Sequence, residues 1–194
     1  MAARFTAAPV GQLAAEAVGA AAGASLAAAV DFQGEADAAA EEAQAEAGNI
    51  MHPKDLLKQL DSPKIVAAIA EAECKTSGEI RIYISHKTRT NALIAAQNRF
   101  EKLGLFKTRH RNAVLLYLVP RTRSFAIIGD TGVHEKCGDD FWTQASAELS
   151  ADLRSMPITE ALIRTVQKVG ELLASHFPSE PGAVDEYPKE ILHD

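Results

Sequence analysis

Residues 111–132 read RNAVLLYLVPRTRSFAIIGDTG, and this stretch decides the fold. Residues 113–119 form a continuous apolar run, whose length and branched side chains predict a central strand buried on both faces. Residues 120–123 predict a short turn, and residues 124–128 predict a second strand that ends at Gly129. Because the connection between these two strands is so short, we expect them to run antiparallel.

A further strand and two helices precede this hairpin. Residues 80–84 alternate isoleucine with arginine and tyrosine, which predicts a strand with one apolar face. Residues 61–63, Asp-Ser-Pro, predict the start of a helix before that strand, and residues 91–103 predict a second helix after it. Since a helix joins this strand to the central strand, we expect the two to be parallel, with a right-handed crossover. Long amphipathic helices are predicted at about residues 134–154 and 159–177, which completes an α/β pattern.

Composition divides the chain into three segments. Residues 1–50 are rich in alanine, which predicts a low-complexity extension that is disordered or loosely helical. The composition changes abruptly at Met51, so one hypothesis is that Met51 is the natural start of the protein. We expect residues 51–178 to form one α/β domain and residues 179–194 to form an acidic flexible tail.

The overall composition narrows the classes of partner and location. The formal net charge of −6 makes nucleic acid an unlikely main partner. The extension lacks a run of large apolar residues, so no membrane span is expected and a cytoplasmic location is predicted. The alternative is an exported or organellar protein whose extension is a targeting peptide. The two cysteines, Cys74 and Cys137, form no pattern of a disulfide framework or zinc site, and we expect reduced thiols.

Four features in a fixed order resemble the TPM domain family. They are residues 75–80 (KTSGEI), residues 111–116 (RNAVLL), residues 125–133 (FAIIGDTGV), and an aspartate in the following helix, at Asp139 or Asp140. The resemblance implies a three-layer α/β/α sandwich, with a small mixed sheet between helices on both faces. It also implies divalent-metal binding, often of calcium, and acid phosphatase activity, both of which have been attributed to some members.

The predicted strand directions bring acidic side chains to one end of the sheet. Glu135 and Asp139 are four residues apart, so we expect them to share one helix face. Several oxygen donors with little sulphur or clustered imidazole favour calcium or magnesium. The alternative is a solvated acidic helix start that the helix dipole stabilises. The predicted metal ligands are Asp130, Glu135, Asp139 and Asp140, and the supporting residues are Asn112, Gly129, Thr131, Gly132 and His134. His134 is a candidate acid or base, with a surface histidine as the alternative.

A basic stretch lies between two acidic flanks, and Lys107, Arg109 and Arg111 form its densest part. These side chains are candidates to bind an acidic protein, a phosphorylated ligand or a membrane surface. The alternative is a solvated basic face that pairs with the acidic helices. These features, together with what the resemblance to the TPM domain family implies, predict two alternative functions. One is a divalent-cation-binding domain with weak phosphatase activity, and the other is a non-catalytic interaction or scaffold domain that uses its basic segment.

Overall fold

The computed structural model describes residues 27–30, 58–88, 91–179 and 190–193. A five-stranded mixed sheet lies at its centre, in the spatial order β1-β4-β3-β2-β5. The strands are β1 (Ala27–Val30), β2 (Glu79–Ile84), β3 (Ala113–Val119), β4 (Ser124–Gly129) and β5 (Ile191–His193). The helices are α1 (Ser62–Glu73), α2 (Ala92–Leu103), α3 (Thr131–Ser155) and α4 (Ile158–His176), with a 3₁₀ turn at Leu105–Lys107.

The three central strands have the predicted directions. β2 and β3 are parallel, and α2 joins them. β3 and β4 are antiparallel, so that Val114 lies opposite Gly129 and Val119 lies opposite Ser124. Every residue of β3 is buried, as expected of a strand covered on both faces. The prediction of a mixed sheet with one parallel and one antiparallel neighbour for the central strand is confirmed.

Helices cover both faces of this sheet, which confirms the three-layer α/β/α sandwich. On one face Ile82, Leu116 and Ile127 belong to a cluster that also contains side chains of α1, α3 and α4. On the other face, Leu115 and its neighbours pack against α2, from which Phe100 enters the second cluster. None of the helices in the described ranges combines the length and the apolar composition that a membrane span requires.

Both outer strands correct the predictions made for the chain ends. Ala27–Val30 lie within the extension predicted to be disordered or loosely helical, yet they pair antiparallel with β4. Ile191–His193 lie within the tail predicted to be flexible, yet they pair in parallel with β2. The outer strands of a three-stranded sheet would otherwise present unpaired N–H and C=O groups, and these short segments satisfy them. The rest of the extension, and residues 180–189 and 194 of the tail, lie outside the described residues.

Helix starts follow the capping signals in the sequence. The Asp61 side chain accepts a hydrogen bond from the Lys64 amide at 3.2 Å, and Pro63 lies in the first turn of α1. The Asn91 side chain accepts from the Ile94 amide at 3.0 Å and starts α2. α2 ends at Gly104, whose φ of 70° is the left-handed conformation that glycine adopts most easily.

Candidate functional site

The candidate site lies where β4 ends beside the start of β3. The Asp130 amide donates to the Ala113 carbonyl at 2.9 Å, and the Glu79 amide donates to the Asn112 carbonyl at 3.3 Å. The exit of β4 therefore lies next to the entrances of β2 and β3, as the predicted strand directions require. α3 begins at the next residue, Thr131, so its first turn lies at the same end of the sheet.

Asp130 is fully buried and forms an ion pair with Arg111. Its Oδ2 accepts from Arg111 Nε at 2.8 Å, and its Oδ1 accepts from Arg111 Nη2 at 2.8 Å. The same Oδ1 accepts from the Thr131 amide at 2.7 Å, so Asp130 also caps α3. The hydrogen bond to Asp130 raises the pKa of Arg111. The sequence analysis assigned Asp130 to the metal site and Arg111 to the basic stretch, but the two side chains form one bidentate ion pair.

The backbone of Arg111 has an unusual conformation. Its φ of 52° lies in the left-handed region, which a residue with a Cβ atom adopts only at a cost. In this conformation the Arg111 side chain forms both of its hydrogen bonds to Asp130. The Arg111 side chain is 37% exposed, so solvent still reaches one partner of the pair.

A kink divides α3 and changes the relation between the predicted ligands. Gly138 has a φ of 67° and a ψ of −176°, which are not helical, so residues 131–137 and 139–155 form two helical segments. Glu135 lies before the kink and Asp139 lies after it. The prediction that they share one helix face is therefore wrong, because the spacing rule holds only within a continuous helix. Burial raises the pKa of the Cys137 thiol beside the kink to about 11.

The predicted metal ligands do not form a preassembled centre. Within the described ranges, no group of three or more His, Cys, Asp or Glu side chains is placed to hold a metal ion. Asp130 faces Arg111, while Glu135 and Asp140 are exposed. Asp139 is also exposed, and its Oδ1 lies 3.7 Å from His134 Nε2. A cation at Asp130 would have to displace a guanidinium, so a calcium or magnesium site stays a prediction.

Two of the supporting glycines lie against neighbouring groups. A Cβ atom on Gly129 would lie 2.2 Å from Cζ2 of Trp142, a buried residue of α3. A Cβ atom on Gly132 would lie 2.4 Å from the His110 carbonyl oxygen, so glycine lets α3 start close to that loop. Both glycines therefore have a packing reason to be there, and Trp142 is a residue of this end that sequence reasoning missed.

Asn112 is the most buried of the supporting polar residues. Its Nδ2 donates to Ser77 Oγ at 3.3 Å, and its backbone amide donates to Thr108 Oγ1 at 3.1 Å. Its Oδ1 has no hydrogen-bond partner among the described residues. Thr131 approaches Asp130 with its hydroxyl at 3.4 Å, in addition to its amide. Asn112 and Thr131 thus support the turn geometry, as turn-forming polar residues do.

Residues 106–110, FKTRH, form a turn that we call the basic loop, in which every residue except Thr108 is exposed. Lys107 and Arg109 are exposed, as predicted, and His110 lies exposed beside them. Phe106 is 39% exposed, which sequence reasoning missed, and Lys107 Nζ lies 5.8 Å from the centre of its ring. The adjacent Leu105 is buried, and Thr108 is buried where it accepts from the Asn112 amide. The buried side chains of Leu105 and Thr108 therefore hold the loop in place, while the side chains of Lys107 and Arg109 are exposed to solvent.

Comparison with known proteins places this architecture in a family. The TPM domain model, named TPM phosphatase, matches residues 50–172, more than half of the chain. No curated protein matches the chain. Among solved structures, it is similar to the NMR structure of the BA42 protein from the psychrophilic bacterium Bizionia argentinensis sp. nov., with a TM-score of 0.64 and 30% sequence identity. That similarity covers 69% of this chain and 92% of the BA42 chain. The chain belongs to the TPM domain family.

Proposed function

We propose that this TPM domain is a binding domain for an anionic partner, and that the basic loop is its contact surface. The observation that carries this proposal is the placement of charge. Lys107 and Arg109 face solvent, whereas the neighbouring Asp130 is buried beneath Arg111. The basic loop therefore presents cations outward, although the whole chain has a formal net charge of −6.

The geometry of the loop favours recognition over a merely solvated face. Leu105 and Thr108 hold the turn in place, so less conformational entropy is lost when a ligand binds. The exposed Phe106 adds an apolar contact beside the charges. Phosphate and carboxylate oxygens accept charge-assisted hydrogen bonds from lysine and arginine, so both are ligand groups for this surface.

The test is a titration of the full chain with an octaglutamate peptide and with a phosphoserine peptide, followed by NMR amide shifts. We expect residues 106–110 to respond first, and the affinity to fall as salt is raised. Lys107→Glu should weaken binding by about fivefold, since one exposed ion pair contributes up to about 1 kcal/mol. Arg121→Glu makes the same change of charge in the exposed turn at the other end of β3. Equal loss in both variants would indicate general electrostatics, and no shift with either peptide would reject the proposal.

A second candidate function is binding of a divalent cation with slow hydrolysis of phosphomonoesters. It is supported by the match to the TPM phosphatase model and by the exposed carboxylates Glu135, Asp139 and Asp140 beside the kink. The test is titration with calcium and with magnesium, read by the melting temperature and amide shifts, because a ligand of the native state must stabilise it. A phosphatase assay with Asp139→Asn and Asp140→Asn controls for contaminating enzymes. Unchanged melting and shifts with both cations would reject this candidate.

A further inference from the structure

Not every basic side chain of the central stretch is accessible to a partner. Arg81 is buried at the outer edge of β2, where its Nη2 bonds a Glu79 oxygen at 2.7 Å. Its Nη1 donates to the Ile80 carbonyl at 2.9 Å, and the Ile80 amide donates to Glu73 Oε1 at 2.8 Å. Because Glu73 and Glu79 are buried as well, an external partner cannot reach the charges of this cluster.

The cations in and beside the basic loop are placed differently. Lys107 and Arg109 are exposed, and Lys102 is exposed in the last turn of α2, just before the loop. Three exposed cationic side chains therefore lie within residues 102–109, at the end of the domain where β3 begins. A patch of this kind attracts an anionic surface more strongly than the average charge of the chain suggests.

Phe106 places an apolar ring among these cations. Within the part of the chain that the structure describes, Phe106 and Ile94 are the large hydrophobic side chains that are exposed. Ile94 lies in the first turn of α2, within the uncharged sequence NALIAAQN of residues 91–98. The Phe106 ring instead has Lys107 Nζ at 5.8 Å from its centre. An exposed aromatic ring among lysine and arginine side chains is the composition of segments that bind at a lipid–water interface.

The basic loop projects from the domain. Its first residues belong to a 3₁₀ turn that follows directly on α2, and four of its five residues are exposed. A peptide ligand usually gains its affinity from a groove or a free strand edge that encloses it. A projecting loop instead presents its side chains together to a flat surface. A lipid surface therefore fits the loop better than a peptide does.

We propose that the basic loop binds the surface of an anionic phospholipid membrane, with Lys102, Lys107 and Arg109 among the lipid headgroups. The Phe106 ring reaches the boundary between the headgroups and the acyl chains. Each lysine or arginine near an anionic lipid surface strengthens binding by about fivefold. This inference rests on the proposed binding of an anionic partner, and it names that partner.

The charges around the loop determine how the domain lies on such a surface. α3 begins against the loop, since a Cβ atom on Gly132 would lie 2.4 Å from the His110 carbonyl oxygen. The carboxylates of Glu135, Asp139 and Asp140 on α3 are exposed, and an anionic surface repels them. At physiological salt these forces extend over about 8 Å, so more distant acidic residues do not prevent contact. We therefore expect the domain to rest on the side of the loop that continues α2.

The test is sedimentation of the full chain with vesicles of phosphatidylcholine alone, and with vesicles that contain about one third phosphatidylserine. We expect binding only to the vesicles with phosphatidylserine, and weaker binding as salt is raised. Lys107→Glu should weaken this binding by about 20-fold, because it removes a cation and adds a repelled anion. Arg121→Glu makes the same change of charge at the other end of β3, and equal weakening in both variants would overturn the proposal.

Phe106→Ser separates a lipid surface from a soluble acidic partner. Loss of the partly exposed ring should weaken vesicle binding by about fivefold. The octaglutamate titration should keep its wild-type affinity, because that peptide has no apolar part to contact the ring. Ile94→Ser removes an exposed apolar side chain in the first turn of α2 and is the matched control. Vesicle binding by Phe106→Ser at wild-type affinity would overturn the insertion of the ring.

A second measurement uses the wild type alone, so the proposal does not depend on a variant. The ¹⁵N-labelled chain is mixed with nanodiscs of the same anionic lipids that carry a spin label on their acyl chains. The amide signals of residues 105–110 should broaden, while those of residues 120–124 keep their intensity. Broadening of residues 120–124 instead would overturn the proposal. Absence of vesicle binding while octaglutamate still shifts the loop would overturn the lipid surface alone, and absence of both would reject the proposed function as well.

Discussion

Replacing Asp130 tests whether its carboxylate stabilises the fold or binds a cation. Asp130→Ala removes both the partner of Arg111 and the cap of α3, whereas Asp130→Asn keeps an oxygen that can accept from the Thr131 amide at the observed 2.7 Å. The two variants therefore separate the loss of charge from the loss of the cap. Asp140→Asn, which changes an exposed carboxylate of the same helix, is the matched control.

The expected costs follow from burial and bonding. Removing one partner of a buried pair costs about 3–5 kcal/mol. Because the Arg111 side chain is 37% exposed and can be rehydrated, we reduce this cost to about 2–3 kcal/mol. Loss of the cap adds about 1 kcal/mol, so Asp130→Ala should lower the free energy of unfolding by about 3–4 kcal/mol. Asp130→Asn should lower it by about 2 kcal/mol, since charge-assisted bonds become ordinary ones.

The assay is urea unfolding in EDTA, read by the fluorescence of Trp142, which is the single tryptophan and is buried. With a slope of about 1–3 kcal/mol per molar urea, the loss in Asp130→Ala should move the midpoint by more than about 1 M. Asp140→Asn should stay within about 0.5 kcal/mol of the wild type. The reasoning is refuted if both Asp130 variants match the wild type in EDTA and lose only a stabilisation that calcium or magnesium provides.

Further predictions concern two glycines and one ion pair. Gly129→Ala should cost about 2–3 kcal/mol, because its Cβ would overlap the buried Trp142 ring. Gly138→Ala meets no neighbour within 4 Å and should cost about 1–3 kcal/mol through its backbone alone, because a φ of 67° with a ψ of −176° is a conformation that essentially only glycine adopts; an unchanged melting temperature in either variant would contradict the prediction for that glycine. The hydrogen bond from Lys168 to Glu148, at 2.6 Å, lowers the pKa of Glu148. The stabilisation from this pair is therefore present in full above the ordinary pKa of 4.5, and it is lost as the pH falls through the lower pKa of the folded state. Glu148→Gln should therefore cost about 0.5 kcal/mol at pH 7, and the gap to the wild type should close in acid unfolding curves; a gap that is constant with pH would count against this pair.

The central fold could be predicted because its signals are local and agree with one another. The apolar run at β3, the alternation at β2 and the short turn after Val119 each predict a strand or a direction. The outer strands could not be predicted in the same way. Residues 27–30 read Ala-Ala-Ala-Val, a composition with little β propensity, and they form a strand because β4 offers them an unpaired edge.

The sequence predicts where the candidate site lies, but it does not predict which of its side chains form ion pairs with one another. Chain direction alone brings Asp130 beside the start of β3, as the structure has it. The charge pattern placed Arg111 among outward-facing bases, and nothing in that pattern indicates its left-handed φ. Gly138 did leave a signal, because glycine followed by two aspartates is typical of one helix ending and another beginning. This signal predicts a helix break between Glu135 and Asp139, so that the two residues lie in different helical segments.

The guanidinium and carboxylate that occupy the edge of β2 have a consequence for the colloidal behaviour of the protein. Sheet proteins usually resist fibre growth by placing charges on the solvent side of an outer strand. Here Glu73 and Arg81 resist it from within the packed interior, by occupying the donor and acceptor of Ile80. A substitution that shortens either side chain would thus expose a growth point for stacked strands without altering the charge or hydropathy of the outer surface. Precipitation of such a variant would have its origin in the core.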